Sequence, residues 1–191
     1  MITDAEVFEG VRSHLDRFWT DQPYEEFVWA LGPIAKSMPQ FRVRRIAPVE
    51  RCDPWVYVTV GAWEATSEDV HGTEFFLLST SENALHVELL AMVTHLHADP
   101  GCRLNVGSTI TIGRPWVEGS AAEHLLVTLP YPHGPALELC ELGERHVRVL
   151  WLVPITAAES NLVSTQGLEA LEVLLDQPNL DVLDPQRRSL V

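Results

Sequence analysis

Residues 146–175 read HVRVLWLVPITAAESNLVSTQGLEALEVLL, and the order of signals inside them decides the fold class. Val147 to Val153 is an almost unbroken apolar run of strand length, which predicts a buried strand. Pro154 marks its end. Thr156 and Glu159 then stand at the S/T-x-x-E spacing of a capping box, so a helix begins there. Leu162, Leu168, Leu171, Leu174 and Leu175 supply its core side, with Gly167 as an interruption. Asp176, Asp181 and Asp184 make the exit acidic.

The upstream chain mixes the same two element types. Thr3 and Glu6 form another capping box, and Phe8, Val11, Leu15, Phe18 and Trp19 recur at helical spacing up to a stop before Pro23. Tyr24 to Leu31 is expected as a short helical turn within a loop containing Pro33 and Pro39. Phe41 to Val49 and Trp55 to Trp63 read as strands, Glu64 to Gly72 as a polar connection, and Thr73 to Ser79 as a strand covered on both faces. Ala84 to Ala98 has helical period, with Leu85, Leu89, Met92, Val93 and Leu96 on one face, and Asp99-Pro100-Gly101 ends it. Ser108 to Ile112 and His124 to Leu129 read as strands, and Leu137 to Leu142 extends the sheet. Without a regular βαβ rhythm, the pattern favours an α+β fold over a doubly wound one. With no linker and no internal repeat, residues 1–191 are expected to form one domain.

Composition narrows the function. At 46% apolar and 21% charged residues, the chain is ordinary globular protein. No stretch approaches the ~20 apolar residues that span a bilayer. The start, MITDAEVFEG, carries acids where a secretory leader is basic, so export by that route is not expected. Cys52, Cys102 and Cys140 are odd in number and far apart, which favours reduced thiols in a cytoplasm, each read as a small buried hydrophobe. The net charge is -14, Lys36 is the single lysine, and Cys52 to Cys102 and Val149 to Gln186 contain neither Lys nor Arg. Such a chain repels nucleic acid and anionic membranes. It would steer a basic protein partner, or simply keep itself soluble.

Chemistry-bearing motifs are sparse. His95, His97 and Asp99 are zinc-ligand types that would suit a metal-dependent hydrolase, with His71, His86 or His124 completing the set. On a helix, however, residues two apart point in different directions. There is no H-E-x-x-H, no nucleophile elbow, no P-loop and no dinucleotide fingerprint. No catalytic, cofactor or metal residue is therefore assigned. Trp55 and Trp151 are expected in the core. Trp116, in a loop, and Tyr131, between prolines, are either packed corners or contacts for a partner.

Five blocks occur in an order that resembles bacterial members of the Suppressor of fused domain family. They are His71-Gly-Thr-Glu-Phe-Phe-Leu-Leu-Ser79, the apolar helix ending near His95, Gly113-Arg-Pro-Trp116 with Gly119-Ser120, Leu129-Pro-Tyr-Pro132 with Gly134-Pro135, and the C-terminal block quoted first. The resemblance is strongest over residues 50–191. It implies a single α+β domain, a mixed, mainly antiparallel sheet flanked by helices, and no catalytic residues or cofactor. In the animal pathway protein the domain helps to hold a transcription factor through an extended segment, a strand-addition mode. Bacterial relatives are often immunity proteins paired with toxins. The resemblance thus implies a cytoplasmic protein-binding domain whose partner is a basic toxin domain or an extended peptide. Glu64, Glu68, Asp69 and His71, in the segment before the Thr73 strand, are the candidate contacts, together with Trp116 and Tyr131. The alternatives are the hydrolase above and a chaperone-like module that binds peptides at a sheet edge.

Overall fold

The Thr3 hydroxyl accepts the Glu6 N–H while the Glu6 carboxylate accepts the Thr3 N–H at 2.8 Å, so the predicted N-terminal box opens a helix. Such a cap contributes about 1 kcal/mol. A computed structural model describes residues 2–66 and 71–191. In chain order its helices are α1 (Asp4–Phe18), α2 (Pro33–Ser37), α3 (Leu85–His97), α4 (Pro135–Glu138), α5 (Ala157–Gln166) and α6 (Leu168–Leu175). Its strands are β1 (Tyr24–Val28), β2 (Arg42–Ile46), β3 (Trp55–Val60), β4 (His71–Ser79), β5 (Thr109–Thr111), β6 (His124–Thr128), β7 (Leu139–Leu142) and β8 (Arg145–Ile155). The chain divides into two compact units, Met1–Arg103 with Leu129–Trp151, and Leu104–Thr128 with Leu152–Val191.

In the first unit the strand order is β1-β2-β3-β4-β8, and β7 also pairs with β8. Neighbours from β1 to β4 are antiparallel, β4 and β8 are parallel, and β7 and β8 are antiparallel. The sheet is therefore mixed and mainly antiparallel, as expected for the α+β class. Helix α3 packs on β2, β3 and β4, while α1 packs on β3, β7 and α4. Val56, Tyr57, Val58, Thr59 and Val60 are all buried, because β3 is central and covered on both faces.

Several expectations need correction. Tyr24–Val28 is an edge strand and not a helical turn, because long-range pairing decides it. Glu26 meets Arg44 at 2.8 Å and Arg42 at 3.3 Å, and Glu25 meets Arg45 at 2.7 Å, all across the β1–β2 ladder. The Arg44 and Arg45 guanidiniums also cover the Tyr24 and Phe27 rings. Those bonds hold the Glu26 carboxyl below its usual range against the burial that would raise it. Helix α3 is rotated from its expected face: Leu85 and Met92 are 43% and 42% exposed, whereas His86, Leu90, Thr94 and His97 are buried. The histidines are tolerated inside because they find partners there. His86 Nε2 lies 3.2 Å from the Ser79 hydroxyl with its ring edge-on to Tyr57, and the His97 ring is edge-on to Phe75. Cys52 and Cys102 are exposed free thiols and only Cys140 is buried, its thiol pushed up to about 11 by desolvation. Trp151 is core as expected, but Trp55 is half-buried with Arg45 over its ring.

In the second unit the order is β8-β6-β5, with α5 packed on β6 and α6. The Thr156–Glu159 box is formed. Gly167, at φ 91°, divides the expected helix into α5 and α6. Its interior face is narrower than the leucine spacing implied, for Leu162 and Leu171 are buried while Leu168, Leu174 and Leu175 are half-buried. Glu159 also anchors the C-terminal segment: Arg187 reaches its two oxygens at 2.5 and 2.9 Å, and the Leu190 N–H adds a bond of 3.0 Å.

Candidate partner-binding face

The polar segment singled out in the sequence is positioned from behind by Glu74. This side chain, in the middle of β4, is 0% exposed. It lies 2.5 Å from the Thr59 hydroxyl and accepts the N–H groups of Gly61 at 2.8 Å, Ala62 at 3.2 Å and Trp63 at 3.4 Å. Thr59 in turn accepts the Phe75 N–H at 2.8 Å. Gly61, at φ 94°, makes the turn that delivers those amides, and a Cβ there would stand 3.0 Å from the Gln40 carbonyl oxygen. Burial pushes the Glu74 carboxyl up to about 7, opposed by the Thr59 hydroxyl and the three amides. One carboxyl thus holds the end of β3 and the 3-10 turn Ala62–Thr66 that follows.

That turn carries Glu64, half-buried, whose carboxylate accepts the Gln40 N–H at 3.2 Å and is raised by burial. Glu68 and Asp69 lie outside the described residues. His71 opens β4 and is exposed. Register then builds a face around it. His71 pairs with His146, and His146 with Glu141, so one row crosses β4, β8 and β7. Two residues along, Thr73, Arg148 and Leu139 make a second row on the same side. The intervening row, Gly72, Val147 and Cys140, turns inward and is buried. A Cβ on Gly72 would lie 2.6 Å from the Trp63 Cβ, so only glycine fits beneath the turn.

The outward rows frame a shallow depression of about 280 Å³ lined by His71, Leu139, Glu141, His146 and Arg148, with Cys140 and Val147 at its base. The two imidazoles stack, with centroids 5.6 Å apart and planes 29° apart. Arg148 gives two bonds to one Glu138 oxygen, at 2.6 and 3.0 Å. Leu139 is 50% exposed. Charged, polar and apolar side chains around an open depression on paired strands suit another protein's surface better than an enclosed small molecule.

The remaining predicted residues go elsewhere. Tyr131 is 59% exposed in the turn after β6, and beside it His133 is caged by Phe18, Trp19 and Phe76. Trp116, in the second unit, is 2% exposed and donates its indole N–H to the Ser120 hydroxyl at 3.1 Å, so packing is what its loop uses it for. His95, His97 and Asp99 do not converge: the first is exposed, the second buried against Phe75, and Asp99 accepts the Gly101 N–H. Among the described residues no group of three His, Cys, Asp or Glu side chains is arranged to hold a metal ion. Sequence reasoning missed Glu74, His146, Glu141 and Arg148. Glu74 had a signal, a lone acid inside the apolar strand TEFFLLS. The others become neighbours only through strand register.

The family model for Suppressor of fused protein (SUFU) matches residues 38–188. Among solved structures, the chain is similar to a protein described as a SUFU homologue from Neisseria gonorrhoeae, at 37% identity and a TM-score of 0.85, covering 98% of each chain. It is similar in fold to a chain of the Sufu–Fu complex, at 14% identity and a TM-score of 0.72, covering 96% of this chain and 91% of that one. It also resembles Drosophila Suppressor of Fused, at 13% identity and a TM-score of 0.63, covering 95% of this chain and 50% of that one. No curated protein matches. With the matched model spanning most of the chain and the sheet order in agreement with the expected class, this chain belongs to the Suppressor of fused family.

Proposed function

We propose that this chain is a non-enzymatic, cytoplasmic protein-binding domain that acts as an immunity protein, sequestering a cognate toxin. Family membership carries the reading, since a relative of the same fold has been crystallised as the Sufu–Fu complex. The outward rows of β4, β8 and β7, with Glu64, Glu68, Asp69 and Tyr131, supply the contact candidates. Trp116 serves as a support, given its burial.

Charge supports a basic partner. In the first unit Asp53, Glu88 and Asp99 are exposed along a stretch without Lys or Arg, and in the second Glu169, Asp176, Asp181 and Asp184 are. Such acids speed capture of a cationic domain, and the association rate falls as salt rises. No helix among the described residues is long and apolar enough to cross a membrane. The test is co-expression with the products of the genes adjacent to its own, each first scored for killing when expressed alone. Relief of killing together with co-purification is expected; unrelieved killing without co-purification overturns the reading.

A further inference from the structure

We propose that His71 and His146 form a two-histidine chelate for a divalent transition-metal ion of the imidazole-preferring kind, such as Cu2+ or Zn2+. The inference rests on register and does not depend on the partner reading. His71 and His146 are Cα partners on parallel strands, so their side chains leave the same face side by side. Backbone hydrogen bonding of two sheet strands fixes that spacing before any ion arrives. Apart from their mutual stack and backbone contacts, neither imidazole is engaged among the described residues.

The spacing fits chelation. Two nitrogens on one ion lie about 3.4 Å apart, given metal–nitrogen bonds of about 2.1 Å at a near-tetrahedral angle. Ring centroids 5.6 Å apart are compatible with that separation once χ2 turns both rings so that one nitrogen lone pair of each points at a common ion. His71 is exposed and His146 half-exposed, so the rotation meets solvent and not packed core. Both open into the same depression, which leaves room for water at the remaining coordination positions. Glu141, the Cα partner of His146, adds a negative charge at the rim without being required as a ligand, while the positive charge of Arg148 in the same depression is paired with Glu138. Imidazole selects Cu2+ and Zn2+ over Mg2+ and Ca2+, and the first should bind more tightly.

The experiment titrates Cu2+ and Zn2+ into the tag-free full chain by calorimetry, beside His71→Ala, His146→Ala and His95→Ala. His95 is an exposed histidine of α3 and serves as the control. One ion per chain is expected, with affinity reduced at least tenfold by either of the first two substitutions and unchanged by the third. Cu2+ should also raise Tm of the wild type and not of His146→Ala. Absence of saturable binding, or binding that survives His71→Ala or His146→Ala, overturns the site.

Discussion

Glu74 is the most informative residue to perturb, because its two substitutions should behave very differently. Glu74→Ala removes the acceptor of the Gly61, Ala62 and Trp63 N–H groups and leaves a cavity beside Thr59. A buried group left unsatisfied costs about 1–3 kcal/mol. The two closer amides, at 2.8 and 3.2 Å, dominate that loss. With the cavity added, the cost is about 4 kcal/mol, a large part of the 5–15 kcal/mol typical of a domain. At about 2–4 °C per kcal/mol for a chain of this size, Tm should fall by roughly 10 °C. Glu74→Gln mimics the neutral acid: its amide can donate to Thr59 and its oxygen can still accept the Gly61 amide. Below pH 4.5, where the wild-type carboxyl is protonated, that variant should lose about 1 kcal/mol. The wild type should also show a pH dependence that Glu74→Gln lacks. Its carboxyl is raised from 4.5 to about 7 on folding, so the native state holds a proton that the unfolded chain has released. Stability from this group is full below pH 4.5, declines by about 3 kcal/mol as pH rises to about 7, and is flat beyond. Urea denaturation at several pH values, read at constant m, measures all three quantities. A loss below about 1 kcal/mol for Glu74→Ala, or equal damage from Gln and Ala, would refute this account.

Three further outcomes follow from local geometry. Arg187→Ala leaves Glu159, itself 0% exposed, without its cation and releases the C-terminal segment, so stability should fall by about 3–5 kcal/mol in a denaturant titration. The Glu159 carboxyl is held low by the Arg187 hydrogen bond against burial, so its contribution is present above pH 4.5 and lost as the pH falls through the folded pKa; the variant should show a shallower acid limb. Gly72→Ala places a methyl 2.6 Å from the Trp63 Cβ and 3.3 Å from Val147 Cγ2, and should cost about 1–3 kcal/mol by the same assay. A thiol reagent should modify Cys52 and Cys102 in the native protein and Cys140 only on unfolding, counted by mass; native modification of Cys140 would contradict its burial.

The elements easiest to read from sequence were those whose signals are local. The boxes at Thr3 and Thr156 and the apolar run of β8 needed no distant residue to be recognised. Errors arose where a distant partner settles the outcome. YEEFV became a strand because Arg42, Arg44 and Arg45 stand opposite it, fourteen or more residues beyond its last position. The face of α3 was displaced because His86, Thr94 and His97 are polar by type, yet two of them meet Ser79, Tyr57 and Phe75 inside. The candidate face was illegible for the same reason. His71, His146 and Glu141 are far apart in the chain or on opposite sides of a turn, and only the parallel β4–β8 register and the antiparallel β7–β8 register together align them.

Burial also changes what the acidic composition means. Counted along the chain, Glu74 and Glu159 belong to the two stretches without Lys or Arg and add to their negative charge. In the structure neither reaches solvent. Glu74 is held by a hydroxyl and amides with no cation, and Glu159 is matched by Arg187, so both fasten backbone and contribute little to any external field. The field that could draw a basic partner comes instead from exposed acids such as Glu88, Asp99, Glu169 and Asp181. Neutralising those should lower the association rate and its salt dependence while leaving stability nearly unchanged, whereas truncating Glu74 to Ala or neutralising Glu159 should do the reverse. Measuring both properties on the same variants separates the acids that build the fold from those that meet a partner.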